Sequence, residues 1–266
     1  MGAVVLSVDA VSKTYVAADG GRIAALDAVS LDVREGEFVS VIGPSGCGKS
    51  TLFQIIGGLL AGDGGNVRID GERINGSHRD IGMVFQEEST FAWRSVLDNV
   101  AFPLELSGMQ RSRREDAARR LIRLVGLDGF ESRFPDELSG GMRQRTAIAR
   151  TLAAEPRILL MDEPFASLDE QTRILLGDKI LQIWRELKQT TLLITHNITE
   201  AVQLSDRVAV MTYRPGRIKR IVEIALPRPR DSAQIANAEF GRYVGMLWQD
   251  LREEASRGLA EADAVH

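Results

Sequence analysis

The chain has 266 residues, 44% of them hydrophobic and 26% charged, with a net charge of −4 and a pI of about 5.6. This composition fits one large globular domain, or a domain plus a lobe, and it lacks the basic field that a nucleic-acid partner requires. No apolar run approaches the roughly 18 residues that a membrane span needs, so a membrane role must come through a partner. The opening Met-Gly-Ala-Val-Val-Leu has neither a basic flank nor a long apolar core, so no signal peptide is expected. Cys47 is the single cysteine; no internal disulfide is possible, which suits a reducing compartment.

In chain order, residues 4–14 and 22–34 alternate apolar and polar around Gly20-Gly21 and predict an antiparallel pair of strands. Tyr15 ends the first. Residues 37–42 read as a short buried strand, and residues 51–56 as a helix opening. Between them lies Gly43-Pro44-Ser45-Gly46-Cys47-Gly48-Lys49-Ser50-Thr51, which fits the phosphate-loop pattern G-x-x-x-x-G-K-[ST]. Strand, glycine turn and helix N-terminus in that order curl the backbone N–H groups inward and add partial positive charge. Lys49 supplies a full charge for the outer phosphates, and Ser50 a hydroxyl for Mg²⁺.

Residues 67–71 then predict a strand and tight turn, and residues 81–85 a buried strand ending at Gln86. From 87 to about 155 the composition changes to that of a helical insert. It includes an Arg-rich helix from Gly108 to about Val125, whose arginines read as a solvated face. Arg157 to Asp162 is an apolar strand running into two acids. Asp162 is placed to hold Mg²⁺ or its water, and Glu163 to orient or deprotonate an attacking water. Residues 170–188 predict a helix with Ile174, Leu175, Ile180, Ile183, Trp184 and Leu187 on one side. Residues 191–195 form another buried strand, ending at His196. Residues 208–211 and 217–224 finish the sheet around Arg214-Pro215-Gly216. Pro227 and Pro229 break the chain, and residues 239–260 predict a helix carrying Phe240, Val244, Leu247 and Leu251; the last few residues look disordered. Leu138-Ser139-Gly140-Gly141-Met142 opens a helix and builds a second anion nest, so one chain carries two phosphate-binding surfaces.

These stretches together resemble the nucleotide-binding subunit of ABC transporters over roughly residues 5–225. Gly43–Ser50 matches Walker A, and Ile158–Asp162 matches Walker B with Glu163 as the following acid. Leu138–Met142 matches the LSGGQ signature, with Met142 where glutamine is common. Gln86 matches the Q-loop glutamine, Ser167-Leu168-Asp169 the D-loop, His196 the switch histidine and Tyr15 the aromatic that stacks on adenine. The resemblance implies an α/β P-loop ATPase core with an antiparallel β subdomain and a helical subdomain. It implies an ATPase domain over 1–230, the helical part at about 87–155, and a helical tail over 231–266.

It further implies ATP and Mg²⁺, the latter held by Ser50, Gln86 and Asp162. Glu163, His196 and Gln86 would be catalytic, in a head-to-tail dimer whose sites pair Walker A of one subunit with Ser139–Gly141 of the other. Transmembrane permeases and, indirectly, a periplasmic substrate-binding protein would be the partners, at the cytoplasmic face of the inner membrane. Residues 93–100 and 213–218 resemble importers of nitrate, sulfonate and taurine, with Ala92 where proline is usual; importers of other polar solutes such as polyamines are the alternative. A soluble ABC ATPase of DNA repair or translation fits less well, because the chain has no room for a long coiled coil and no second domain. A switch that does not transport is disfavoured by the retained Glu163. The stretch 87–100 is where a short helix of the membrane subunit docks in this family. There Phe91 and Trp93 are the expected surface anchors, and Val96 and Leu97 are expected core.

Overall fold

A computed structural model describes residues 2–264 except Ala18, Asp19, Glu88 and Ser167, with side chains described through Gly258. The chain opens with β1 (Val4–Val16) and β2 (Arg22–Arg34), the predicted antiparallel pair. β3 (Phe38–Ile42) leads into the phosphate loop and α1 (Lys49–Ile56). β4 (Gly64–Ile69) and β5 (Glu72–Arg73) return to the first sheet, which has the order β2-β1-β4-β5. β6 (Ile81–Val84) belongs to the second sheet. Then come α2 (Val96–Leu106), α3 (Arg111–Leu124) and α4 (Gly140–Ala153), the helical insert. β7 (Ile158–Asp162), α5 (Glu170–Leu187), β8 (Thr190–Thr195), α6 (Ile198–Leu204), β9 (Arg207–Met211), β10 (Ile218–Glu223) and α7 (Ala238–Ala264) complete the chain.

The second sheet has the order β10-β9-β3-β8-β7-β6, and all its pairings are parallel except β10 with β9. Every residue of β3, β7 and β8 is buried. That is why these strands are mostly apolar on both faces rather than alternating: a parallel sheet is covered on both sides. In register, Ile42 lies beside Thr195, and Asp162 beside Ile194. The C-terminal ends of β3, β8, β7 and β6 therefore share one edge of the sheet, and the loops that leave those ends converge there.

The helical insert shares its core with this sheet. Val96, Val100, Ala118, Ile122, Ile148 and Leu152 pack in one cluster with Phe38, Leu159 and Met161. On α3 the buried positions are Ala118 and Ile122, and Arg111, Arg113, Arg120 and Arg123 face solvent as expected. One expectation is corrected on α5. Its buried face is Leu176, Ile180, Leu181 and Ile183, whereas Leu175 is 66% exposed and Leu187 is also exposed. Leu175 sits one position, about 100° of helix, off the i, i+4, i+7 stripe that meets the core. The C-terminal helix runs from Ala238, and its Phe240, Tyr243 and Leu247 bury against Val202, Val208 and Val210.

Candidate nucleotide site

The phosphate loop is shaped by what its glycines cannot accommodate. Gly48 caps α1 with φ 102°, and a Cβ there would lie 2.7 Å from Ala25 O and 2.8 Å from Leu26 Cδ2. Only glycine satisfies both the dihedral and the space. Pro44, Ser45, Gly46 and Ser50 lie at the accessible side of the loop, while Cys47 is fully buried. Burial pushes the Cys47 thiol up, against the pull of Lys49, so this cysteine packs rather than reacts. Lys49 is 6% exposed, and its Nζ donates to Gly43 O at 2.8 Å and to Pro44 O at 3.0 Å. An ammonium has three donors, so one is left to reach a phosphate oxygen. Tyr15 is 41% exposed near the end of β1, with its hydroxyl 3.3 Å from Thr51 Oγ1.

The strand ends supply the acids. Asp162 is 8% exposed, and its Oδ1 has no hydrogen-bond partner. Desolvation pushes its carboxyl up to about 6; the Ser50 hydroxyl and Lys49 oppose this, and Glu163 adds to it. A buried, unpartnered carboxylate oxygen beside a serine hydroxyl is a hard-oxygen set that fits Mg²⁺. That ion takes one or two protein oxygens and completes its shell with water and phosphate. Among the described residues, no cluster of three or more His, Cys, Asp or Glu able to hold a metal occurs.

Glu163 follows in the left-handed region, φ 43°, with its N–H donating to Ile194 O at 2.8 Å. A non-glycine residue held there is strained and persists only because its surroundings fix it. Its Oε2 lies 3.0 Å from His196 Nδ1, at the end of the neighbouring strand β8. The His196 side chain is half exposed, so the pair faces outward.

Behind His196 lies a network that sequence reasoning missed. Thr195 Oγ1 donates to Glu200 Oε2 at 2.6 Å, and Arg173 Nε lies 3.3 Å from Glu200 Oε1. Arg173 also donates to Phe165 O and Leu168 O, so it ties the Leu168-Asp169 turn to the histidine loop. Burial pushes the Glu200 carboxyl up, and Thr195 and Arg173 pull it down. The visible signal was Asn197 followed three residues later by Glu200, a capping-box spacing at the start of α6. Asn197 does accept from the Glu200 N–H, but the Glu200 side chain is taken by Thr195 and Arg173.

Asp169 caps α5, accepting from Thr172 N at 2.9 Å, and this bond holds its carboxyl below the usual range. Ser167 lies outside the described residues. The signature residues open α4: Ser139 is exposed and caps the helix by accepting from Met142 N at 3.4 Å. Leu138 is buried and Met142 half-buried. Gly141 packs so closely that a Cβ would lie 3.3 Å from Thr172 Cγ2 and 3.7 Å from Leu168 Cδ2. The helical insert is thus seated directly on the Leu168-Asp169 turn.

Gln86 is exposed two residues beyond the end of β6. Of the two aromatic candidates, Trp93 is 75% exposed. Phe91 is half-buried, edge-to-face with Phe102 at 4.8 Å and under the Arg150 guanidinium at 4.7 Å, with its N–H donating to Asn99 Oδ1. Phe91 therefore seats Trp93, 5.5 Å away, more than it offers a surface of its own. Val96 is buried and Leu97 partly buried, as expected. A groove of about 840 Å³ is lined by Met109, Leu121, Pro156 and Leu187 and contains none of the nucleotide-site residues. The convergence of strand ends, rather than cavity size, marks this site.

The raised Asp162 pKa has a consequence for stability. In the folded chain the carboxyl holds its proton up to about pH 6, whereas unfolded it loses it near 3.8. Folding is therefore favoured as pH falls through 6 toward 3.8, and burial of the charge costs stability above 6. In urea unfolding with EDTA, the wild type should gain roughly 2 kcal/mol relative to Asp162→Asn between pH 7 and pH 4. Parallel pH profiles for the two proteins would contradict the assignment.

Comparison with known proteins gives the family. The ABC transporter family model matches residues 26–166. An uncharacterized ABC transporter ATP-binding protein of Methanocaldococcus jannaschii is 51% identical over 241 residues, 91% of this chain and 89% of that protein. Taurine import ATP-binding protein TauB of Rhizobium johnstonii is 47% identical, covering 94% of each chain. Nitrate import ATP-binding protein NrtD of Synechocystis sp. is 44% identical, covering 92% of this chain and 93% of that one. A solved dimeric ATP-binding cassette, in a post-hydrolysis state bound to ADP and phosphate, superposes with a TM-score of 0.74 at 34% identity. It covers 84% of this chain and all of that one. With its strand-end acids, phosphate loop and signature helix in these positions, the chain belongs to the ABC transporter family of ATP-binding subunits.

Proposed function

We propose that this chain is the ATP-hydrolysing subunit of an importer of small anions such as nitrate, taurine or other sulfonates. The observation that carries the catalytic part is the Glu163–His196 pair, 3.0 Å apart, at the strand edge that also holds the phosphate loop and Asp162. The Glu163 carboxylate accepts a proton from water as the water oxygen bonds to the γ-phosphorus. The bond from phosphorus to the ADP oxygen breaks, and ADP leaves. His196 holds that carboxylate in place from its other side. Ser50 and Asp162 would hold Mg²⁺, with Gln86 within the same strand-end group; the ion supplies charge neutralisation on the outer phosphates.

Each site is completed by a second copy of the chain. Ser139–Gly141 stand on a lobe of their own, with Ser139 exposed at a helix N-terminus, and the similar cassette is a dimer. A head-to-tail pairing lays Ser139–Gly141 of one subunit on the nucleotide held by the other, so ATP joins the halves and hydrolysis releases them. Transmembrane permease subunits take up that motion, with exposed Trp93 as the docking anchor, and a periplasmic binding protein delivers the solute. Among the described residues no helix is long and apolar enough to cross a membrane. We place the subunit peripherally, at the cytoplasmic face of the inner membrane. The anion class rests on the similarity to TauB and NrtD.

Uptake of labelled taurine and nitrate into vesicles holding the assembled complex tests the solute class; transport of neither overturns it. Glu163→Gln should lower turnover by on the order of a hundredfold or more while ATP still binds, and it should accumulate an ATP-bound dimer in light scattering. A wild-type rate would remove Glu163 from catalysis. Trp93→Ala should leave ATP binding intact and weaken co-purification with the permease or coupled transport. Unchanged assembly and transport would make Trp93 a bystander.

A further inference from the structure

The C-terminal helix α7 contributes no residue to phosphate binding or hydrolysis, yet it ends against the turn that touches the phosphate loop. That turn joins β9 to β10. Its Arg214 donates from Nε to Gly46 O at 2.9 Å. In a trans peptide the C=O and N–H point in opposite directions. A grip on Gly46 O therefore fixes the direction of the next N–H, that of Cys47, which donates to Pro44 O at 3.3 Å and so closes the curl of the loop. Gly216, two residues on, is pressed against the same loop: a Cβ there would lie 2.2 Å from Cys47 O. Its N–H donates to Ala25 O at 2.9 Å, the carbonyl against which Gly48 packs. The turn thus touches the loop at Gly46 and Cys47 directly, and borders Gly48 through Ala25.

The other side of the turn is held by α7. Glu254 is 1% exposed, and its Oε2 accepts from the Tyr213 N–H at 3.0 Å, one residue before Arg214. Lys219 of β10 and Arg257 lie 3.2 Å from its Oε1. One helical turn further, the backbone of α7 passes the Tyr213 ring so closely that a Cβ on Gly258 would lie 2.7 Å from Tyr213 Cε2. These two cations offset the burial of the carboxylate, so Glu254 can hold the Tyr213 N–H from inside the packed helix.

We infer that Arg214 is a positioning residue for the phosphate loop, and that α7, through Glu254 and Gly258 on Tyr213, holds Arg214 in place. Docking of the tail helix therefore sets nucleotide affinity. This rests on residues 43–51 being a phosphate loop. Because the loop amides serve phosphates that ADP and ATP share, both nucleotides feel the brace alike.

The test is nucleotide titration of the full chain, with ADP and ATP separately, followed by fluorescence. Arg214→Ala should raise Kd for both by on the order of fivefold, the scale of one exposed charge-assisted hydrogen bond. Its nucleotide-free melting temperature should be unchanged, and Arg214→Lys should recover part of the affinity. Gly258→Ala, which favours the helix but pushes on Tyr213, and Glu254→Ala should raise Kd in the same sense. Either combined with Arg214→Ala should add nothing further, because they act through one contact. If Glu254→Ala does not fold, Gly258→Ala carries the same comparison. Wild-type Kd in Arg214→Ala, or full additivity in the double variants, would overturn the brace. Lys49→Ala separates the two claims. Lost binding there with wild-type affinity in Arg214→Ala rejects only the brace, and wild-type affinity in Lys49→Ala rejects the phosphate-loop reading and the brace together.

Discussion

Five parallel strands, β9-β3-β8-β7-β6, run in one direction, and that constraint places the catalytic chemistry of this chain. A strand that ends in a parallel sheet hands its next residue to the same edge as its neighbours. β3 hands over the phosphate loop, β7 hands over Asp162 and Glu163, and β8 hands over His196, while β6 leads to Gln86. The groups are spread over more than a hundred residues of sequence, yet register alone puts Asp162 beside Ile194 and Ile42 beside Thr195. The left-handed Glu163 is a local consequence: just past the strand its N–H still bonds to Ile194 O on β8, the strand that leads to His196.

The helical insert obeys a different constraint. It shares an apolar core with the sheet through Phe38, Leu159 and Met161, and its signature helix is seated on Leu168 and Thr172 through Gly141. Its exposed Ser139 and helix N-terminus remain a second anion surface, separate from the first. Two separate anion surfaces on one chain call for a second copy, which is the physical argument for a composite site.

Much of this was legible in the sequence because the signals are local. Short, mostly apolar runs without strict alternation marked β3, β7 and β8, as doubly covered strands do. The flanks of the phosphate loop made its motif credible, and the acids after Met161 and the histidine after Thr195 stood at strand ends. What escaped was set by contacts between distant segments. The exposure of Leu175 depends on which stripe of α5 meets the core, and a 100° error is invisible without the partner surface. The half-buried state of Phe91 is decided by Arg150 and Phe102. The bond from Arg214 to Gly46 O spans 168 residues. A turn sequence such as Arg-Pro-Gly announces a turn and says nothing of what the arginine grips.

The composite site is the central claim, and intermolecular cross-linking tests it most directly. Chains carrying Ser139→Cys and chains carrying Ser45→Cys, both in a Glu163→Gln background, are mixed with ATP and Mg²⁺ and treated with a short bifunctional maleimide. The account predicts a covalent dimer in the mixture with ATP, and none from either chain alone or without nucleotide. A dimer that forms as readily from one chain alone, or no dimer in the mixture, would contradict it.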